Sequence, residues 1–127
     1  MKNDSLSAID WLEKAEEDLQ IAEDLYARNK FYGDVCFHSQ QVAEKSLKGY
    51  LIYHREKIKK IHFLEMLVQD CIKYDDSLNK ILPLLKKLDK LYIPTRYPFK
   101  IEFTAEDARE AIESAKMVLQ EIKSRIK

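Results

Sequence analysis

Two glycines and three prolines are all the chain breakers that these 127 residues hold. A sandwich or barrel needs many tight turns, and so few turn formers cannot supply them. Cysteine is equally scarce. Cys36 and Cys71 do not make a secreted disulfide framework, and no signal-peptide pattern precedes them. No apolar run reaches the ~18 residues that cross a bilayer. An excess of charge is also missing: 22 basic and 22 acidic residues give a formal net charge of zero. The whole molecule is therefore no long-range magnet for nucleic acid. These absences point to a cytoplasmic protein with reduced thiols and no membrane association.

What is present suits helices. Hydrophobic residues make up 46% and charged residues 35%, the mix of a packed domain with charged helix surfaces. The length is that of one domain able to bury a core without staples. The charges are unevenly placed. Residues 1–28 are mostly acidic. Residues 45–60 carry Lys45, Lys48, Arg55, Lys57, Lys59 and Lys60, and a second basic stretch runs from Lys86 to Lys100. These read either as solvated helix faces or as a local site for an anion.

Five helices are predicted. Ser7 and Asp10 form a capping box ahead of a helix to about Arg28, with Trp11, Ala15, Leu19, Ala22 and Tyr26 on one stripe. A second helix is expected from Val35 to His54, capped by Asp34. Gly49 lies inside it, where a close helix crossing would explain a residue that weakens the helix by roughly 1 kcal/mol. A third, shorter helix covers about His62 to Tyr74, and a fourth Leu78 to Tyr92. Pro83 implies a kink there, or a true start just before it. Ile93 to Phe103 reads as irregular. Thr104 and Asp107 make a second capping box for a last helix, Ala105 to about Ile126. The expected architecture is all-α: an up-and-down antiparallel bundle of four long helices plus a short one.

Two segments could carry chemistry. On the second helix, His38, Gln41, Lys45 and Lys48 fall within a sector of roughly 80° at helical pitch. Such a stripe serves a ligand or partner, or is simply a solvated or dimer-facing surface with i,i+4 pairs. The other segment is Ile93 to Pro98, in which two prolines stiffen the chain around Arg96 and Tyr97. An arginine fork matches phosphate bidentately, and tyrosine can stack on a base. A rigid loop whose arginine caps helix carbonyls is the plainer alternative. Other chemistries fail on spacing. There is no Glu-x-x-His for a di-iron bundle and no His-Glu-x-x-His or paired-cysteine zinc motif. Gly33 and Gly49 stand alone, so no glycine-rich phosphate loop exists. Neither a metal nor a resident cofactor is expected.

Trp11, Ala15, Asp18, Leu19 and Ala22, then the unbroken run Phe37 to Lys48, then His62 and Leu64, and finally Ile-Pro-Thr-Arg-Tyr-Pro at Ile93 to Pro98 resemble the HEPN domain family. The resemblance spans essentially residues 1–127 as a single bundle domain. It implies a helical bundle that forms homodimers and binds nucleotide or RNA. Many such proteins are ribonuclease toxins, and many accompany a minimal nucleotidyltransferase in a toxin–antitoxin-like pair. Nuclease members carry an arginine, four to six residues, then a histidine. Here Lys100, Ile101, Glu102 and Phe103 follow Arg96 with no histidine. Arg55 and His62 have six residues between them but flank the third helix, the wrong place for the motif. The leading expectation is a binding module in which His38, Gln41, Lys45, Lys48, Arg96 and Tyr97 hold a nucleotide or RNA phosphate. The alternative is a metal-independent endoribonuclease toxin with Arg96 and His38 as its catalytic candidates. A purely structural helical adaptor is the third reading.

Overall fold

The computed structural model of the chain describes residues 7–57, 59–95 and 102–126. They form helices α1 (Ala8–Ala27), α2 (Tyr32–Tyr53), α3 (Leu64–Ile72), α4 (Leu82–Thr95) and α5 (Ala105–Lys123). A 3-10 segment, Asp76–Ile81, leads into α4, and no strand occurs among the described residues. The result is the expected all-helical bundle of four long helices and a short one.

Local chemistry sets several helix ends. The Ser7 and Thr104 hydroxyls each accept the amide three residues on, and Asp10 and Asp107 reach back to the cap amides. Both capping boxes are therefore present. Pro83 falls in the first turn of α4, where its missing amide would have had no helical partner. Of the two readings of that proline, the helix start is the one observed. Other boundaries differ from expectation. α2 begins three residues early, because Phe31 takes a left-handed turn (φ 61°) and Asp34 then lies inside the first turn, facing the helix dipole. α3 begins at Leu64, and α4 continues through Thr95.

α2 is the centre of the bundle, packing against α1, α3, α4 and α5. Its long buried face joins Leu64, Leu67 and Val68 of α3, Leu85 and Leu88 of α4, and Ala115, Val118 and Ile122 of α5 in one core. α1 approaches α2 closely at Gly49. A Cβ there would lie 3.1 Å from Trp11 Cβ and 3.4 Å from the Ala8 carbonyl oxygen. The expected close crossing is real, and a side chain there would have to push α1 back by a few tenths of an ångström. On α1 the fully buried line is Ala8, Leu12, Ala15, Asp18 and Ala22, with Trp11 half-buried beside it, so the inward stripe takes in a carboxylate.

Candidate functional site

Asp18 stands three residues after Ala15 and four before Ala22, on the buried stripe of α1. A carboxylate at such a position must find compensating donors. It finds both on α2. His38 Nδ1 lies 2.9 Å from Asp18 Oδ1, and Lys45 Nζ donates to Oδ2 at 2.5 Å. His38 and Lys45 are two helical turns apart, so one carboxylate spans them. An ionised carboxylate only accepts, so the proton sits on Nδ1. Nε2 of His38 then has no hydrogen-bond partner among the described residues. Asp18 is buried, while the His38 and Lys45 side chains keep about a quarter of their surface exposed. Together they place a partly open ammonium and imidazole on a fixed, buried anion.

Aromatic packing holds the surroundings. Phe37 stacks on Tyr92 of α4 at 5.9 Å between centroids and meets the His38 ring edge-on at 5.3 Å. Tyr92 thereby holds the last turn of α4 against α2 at Phe37. Arg96 follows that helix by one residue, and both Arg96 and Tyr97 lie outside the described residues. Gln41 is half-buried on α2 and forms no hydrogen bond with a described residue.

Lys48 belongs to a separate cluster. Its ammonium donates to Glu44 Oε2 at 2.9 Å, and His62 Nδ1 lies 3.3 Å from the same oxygen. Gln40 Nε2 donates to the His62 carbonyl at 2.8 Å. Nearby, Asp89 of α4 accepts the amides of Leu64 and Glu65 at 3.0 and 3.1 Å and so caps α3 from another helix. Burial pushes the Asp89 carboxyl above its ordinary range, opposed by those amides and by Gln40. Ser39 Oγ, Gln40 Oε1 and Glu44 Oε1 are buried without a protein partner. The structure thus joins His38 and Lys45 through Asp18 and sets Lys48 apart.

Asp18 and Glu44 were visible in the sequence but not as site residues. The signal for Asp18 was its place on an alanine stripe, where an acid is out of character. Cys36 and Cys71 are buried, and burial raises both thiols to about 12, so neither is a nucleophile. Among the described residues no three His, Cys, Asp or Glu side chains gather as a metal site. None of the described helices is long and apolar enough to cross a membrane.

The family model of the HEPN domain matches residues 8–125. A candidate toxin of Methanocaldococcus jannaschii is 31% identical over 134 aligned positions, covering 92% of this chain and 86% of the relative. The crystal structure of an archaeal HEPN homologue matches with a TM-score of 0.78 and 32% identity, covering 96% of this chain and 99% of the other. The crystal structure of a protein from Thermus thermophilus matches with a TM-score of 0.81 and 32% identity, covering 92% and 96% of the two chains.

Proposed function

The chain belongs to the HEPN domain family, and from that premise we propose that it is one component of a toxin–antitoxin-like pair that binds the phosphate of a nucleotide or RNA. The observation that carries this reading is the Asp18-bridged pair of His38 and Lys45. Asp18 fixes both side chains in advance, so a phosphate meets the Lys45 ammonium without the entropy of ordering a long side chain. Lys45 retains two further N–H donors after serving Asp18. To this pair the reading adds Gln41 as a neutral donor and, from the sequence motif alone, Arg96 as a phosphate fork and Tyr97 as a stacking ring. Lys48, tied to Glu44, stands outside this site. The likeness to a candidate toxin supports the two-component role. In this reading the protein is a cytoplasmic homodimer whose partner is a minimal nucleotidyltransferase.

Co-purification from native cells tests the pairing: a nucleotidyltransferase at near-equal amount is expected, and its absence contradicts that part. Arg96→Ala tests the site: unchanged affinity for a short RNA removes Arg96 from it.

One observation favours catalysis as a second reading. A histidine whose Nδ1 is held by a carboxylate presents Nε2 as a proton acceptor or donor. His38 has that arrangement and could replace the histidine missing after Arg96. Purified protein would then cleave RNA in excess EDTA, and His38→Ala would abolish the cleavage. Intact RNA after prolonged incubation rules the nuclease out.

A further inference from the structure

α3 and α4 enclose a groove that the phosphate site does not use. Phe63, Glu65, Met66, Lys86, Asp89 and Lys90 line its volume of about 420 Å³. Phe63 is 40% exposed and Met66 57% exposed. Single exposed apolar side chains are ordinary, but two that share one concavity point to a contact surface. Lys86 and Lys90 stand one turn apart on α4, both exposed. Neither forms an ion pair with a described residue, whereas Lys87 between them faces Glu110 at 3.6 Å.

The walls are fixed before anything binds. Asp89 ties the first amides of α3 to α4. Gln40 holds the His62 carbonyl. Tyr92 braces the Phe63 ring edge-on at 6.4 Å. A groove ordered in advance loses little freedom when it is filled.

We propose that this groove docks an acidic amphipathic helix of a partner protein, with its apolar anchors on Phe63 and Met66 and its carboxylates on Lys86 and Lys90. A helix presents anchors at i and i+4 with charges along one flank, which suits a groove between two helices. The flexible thioether of Met66 adapts to such anchors. A nucleic-acid strand fits less well. The groove's exposed lining is largely apolar, Phe63 and Met66, and Asp89 spends both oxygens on the amides of α3. Among the described residues Phe63 is its one aromatic ring, whereas strand binders stack successive bases. The groove shares no residue with the His38 site. The inference adds a surface to the two-component reading and does not depend on phosphate binding.

The test is a nuclear magnetic resonance titration of the isotope-labelled whole protein, which registers weak contacts as well as strong ones. Three sets of probes are added separately: short synthetic helices with two leucines at i,i+4 flanked by glutamates, the same helices with lysines instead, and oligouridylate. The acidic helices are expected to shift amides at 64–66 and 86–90, and the lysine helices to leave them in place. The double variant K86E/K90E, changed only at exposed positions, should reverse this preference. No shift from any acidic helix overturns the proposal. So does an equal response to the lysine helices, or oligouridylate moving those amides where the helices do not. Concentration-dependent shifts at the same residues without any probe would assign the groove to a second copy of the chain instead. RNA binding read on His38 and Lys45 variants is unaffected by any of these outcomes.

Discussion

Asp18 occupies a position on α1 where alanine would pack. Its carboxylate is kept because His38 and Lys45 satisfy it from α2. Removing it leaves a partly buried ammonium and imidazole without their acceptor. Asp18→Ala is therefore expected to lower unfolding free energy by roughly 2 kcal/mol, the scale of a charge-assisted hydrogen bond, as read by urea denaturation. An unchanged midpoint would show that the pair is held by something else. Asp75 makes a different kind of prediction. The Ser77 hydroxyl first, then Arg125 and the Ser77 amide, hold its carboxyl down to about 2. A carboxyl lowered by folding stabilises the native state above its unfolded value near 4 and loses that contribution as pH falls toward 2. Asp75→Asn is expected to flatten the acid limb of stability between pH 4 and 2, followed by thermal unfolding across that range. An identical limb in the variant would contradict the assignment.

At the scale of elements, legibility follows the range of the interaction. The capping boxes of α1 and α5 lie within four residues and were readable directly. The start of α2 was not, because a left-handed phenylalanine leaves no compositional trace and Asp34 looked like the cap. The start of α3 was hidden for another reason: its capping carboxylate, Asp89, comes from α4, 25 residues downstream. Asp89→Ala strips two amides of their acceptor, one of them in the buried core. It is expected to cost about 1–2 kcal/mol, with faster hydrogen exchange confined to the start of α3. Exchange rising evenly over the bundle would argue against a local cap. Gly49 was legible as an oddity, and the geometry supplies its cause. Gly49→Val drives a branched side chain into Trp11 Cβ and the Ala8 carbonyl. Overpacking of that kind costs about 1–3 kcal/mol, so a clear drop in melting temperature is expected despite the better helix former. A melting temperature that holds would mean α1 can move aside.

For the whole molecule, hydrophobic periodicity carried the fold, since each helix buries one face against a common centre. The site was half legible. Helical pitch placed His38 and Lys45 on one face of α2, but Lys48 and Glu44 share that helix and turn into another cluster. Which polar residues of α2 meet each other depends on α1, α3 and α4 closing around it, and no single helix encodes that. The central claim is that the Asp18-bridged pair binds phosphate. Isothermal titration of a short single-stranded RNA, in EDTA and at fixed low salt, compares the protein with its H38A/K45A variant most directly. Loss of the Lys45 charge-assisted contact alone, about 1.5–3 kcal/mol, predicts at least a tenfold weaker complex for the variant. Equal affinities of the two proteins would contradict the account and move the phosphate elsewhere on the bundle.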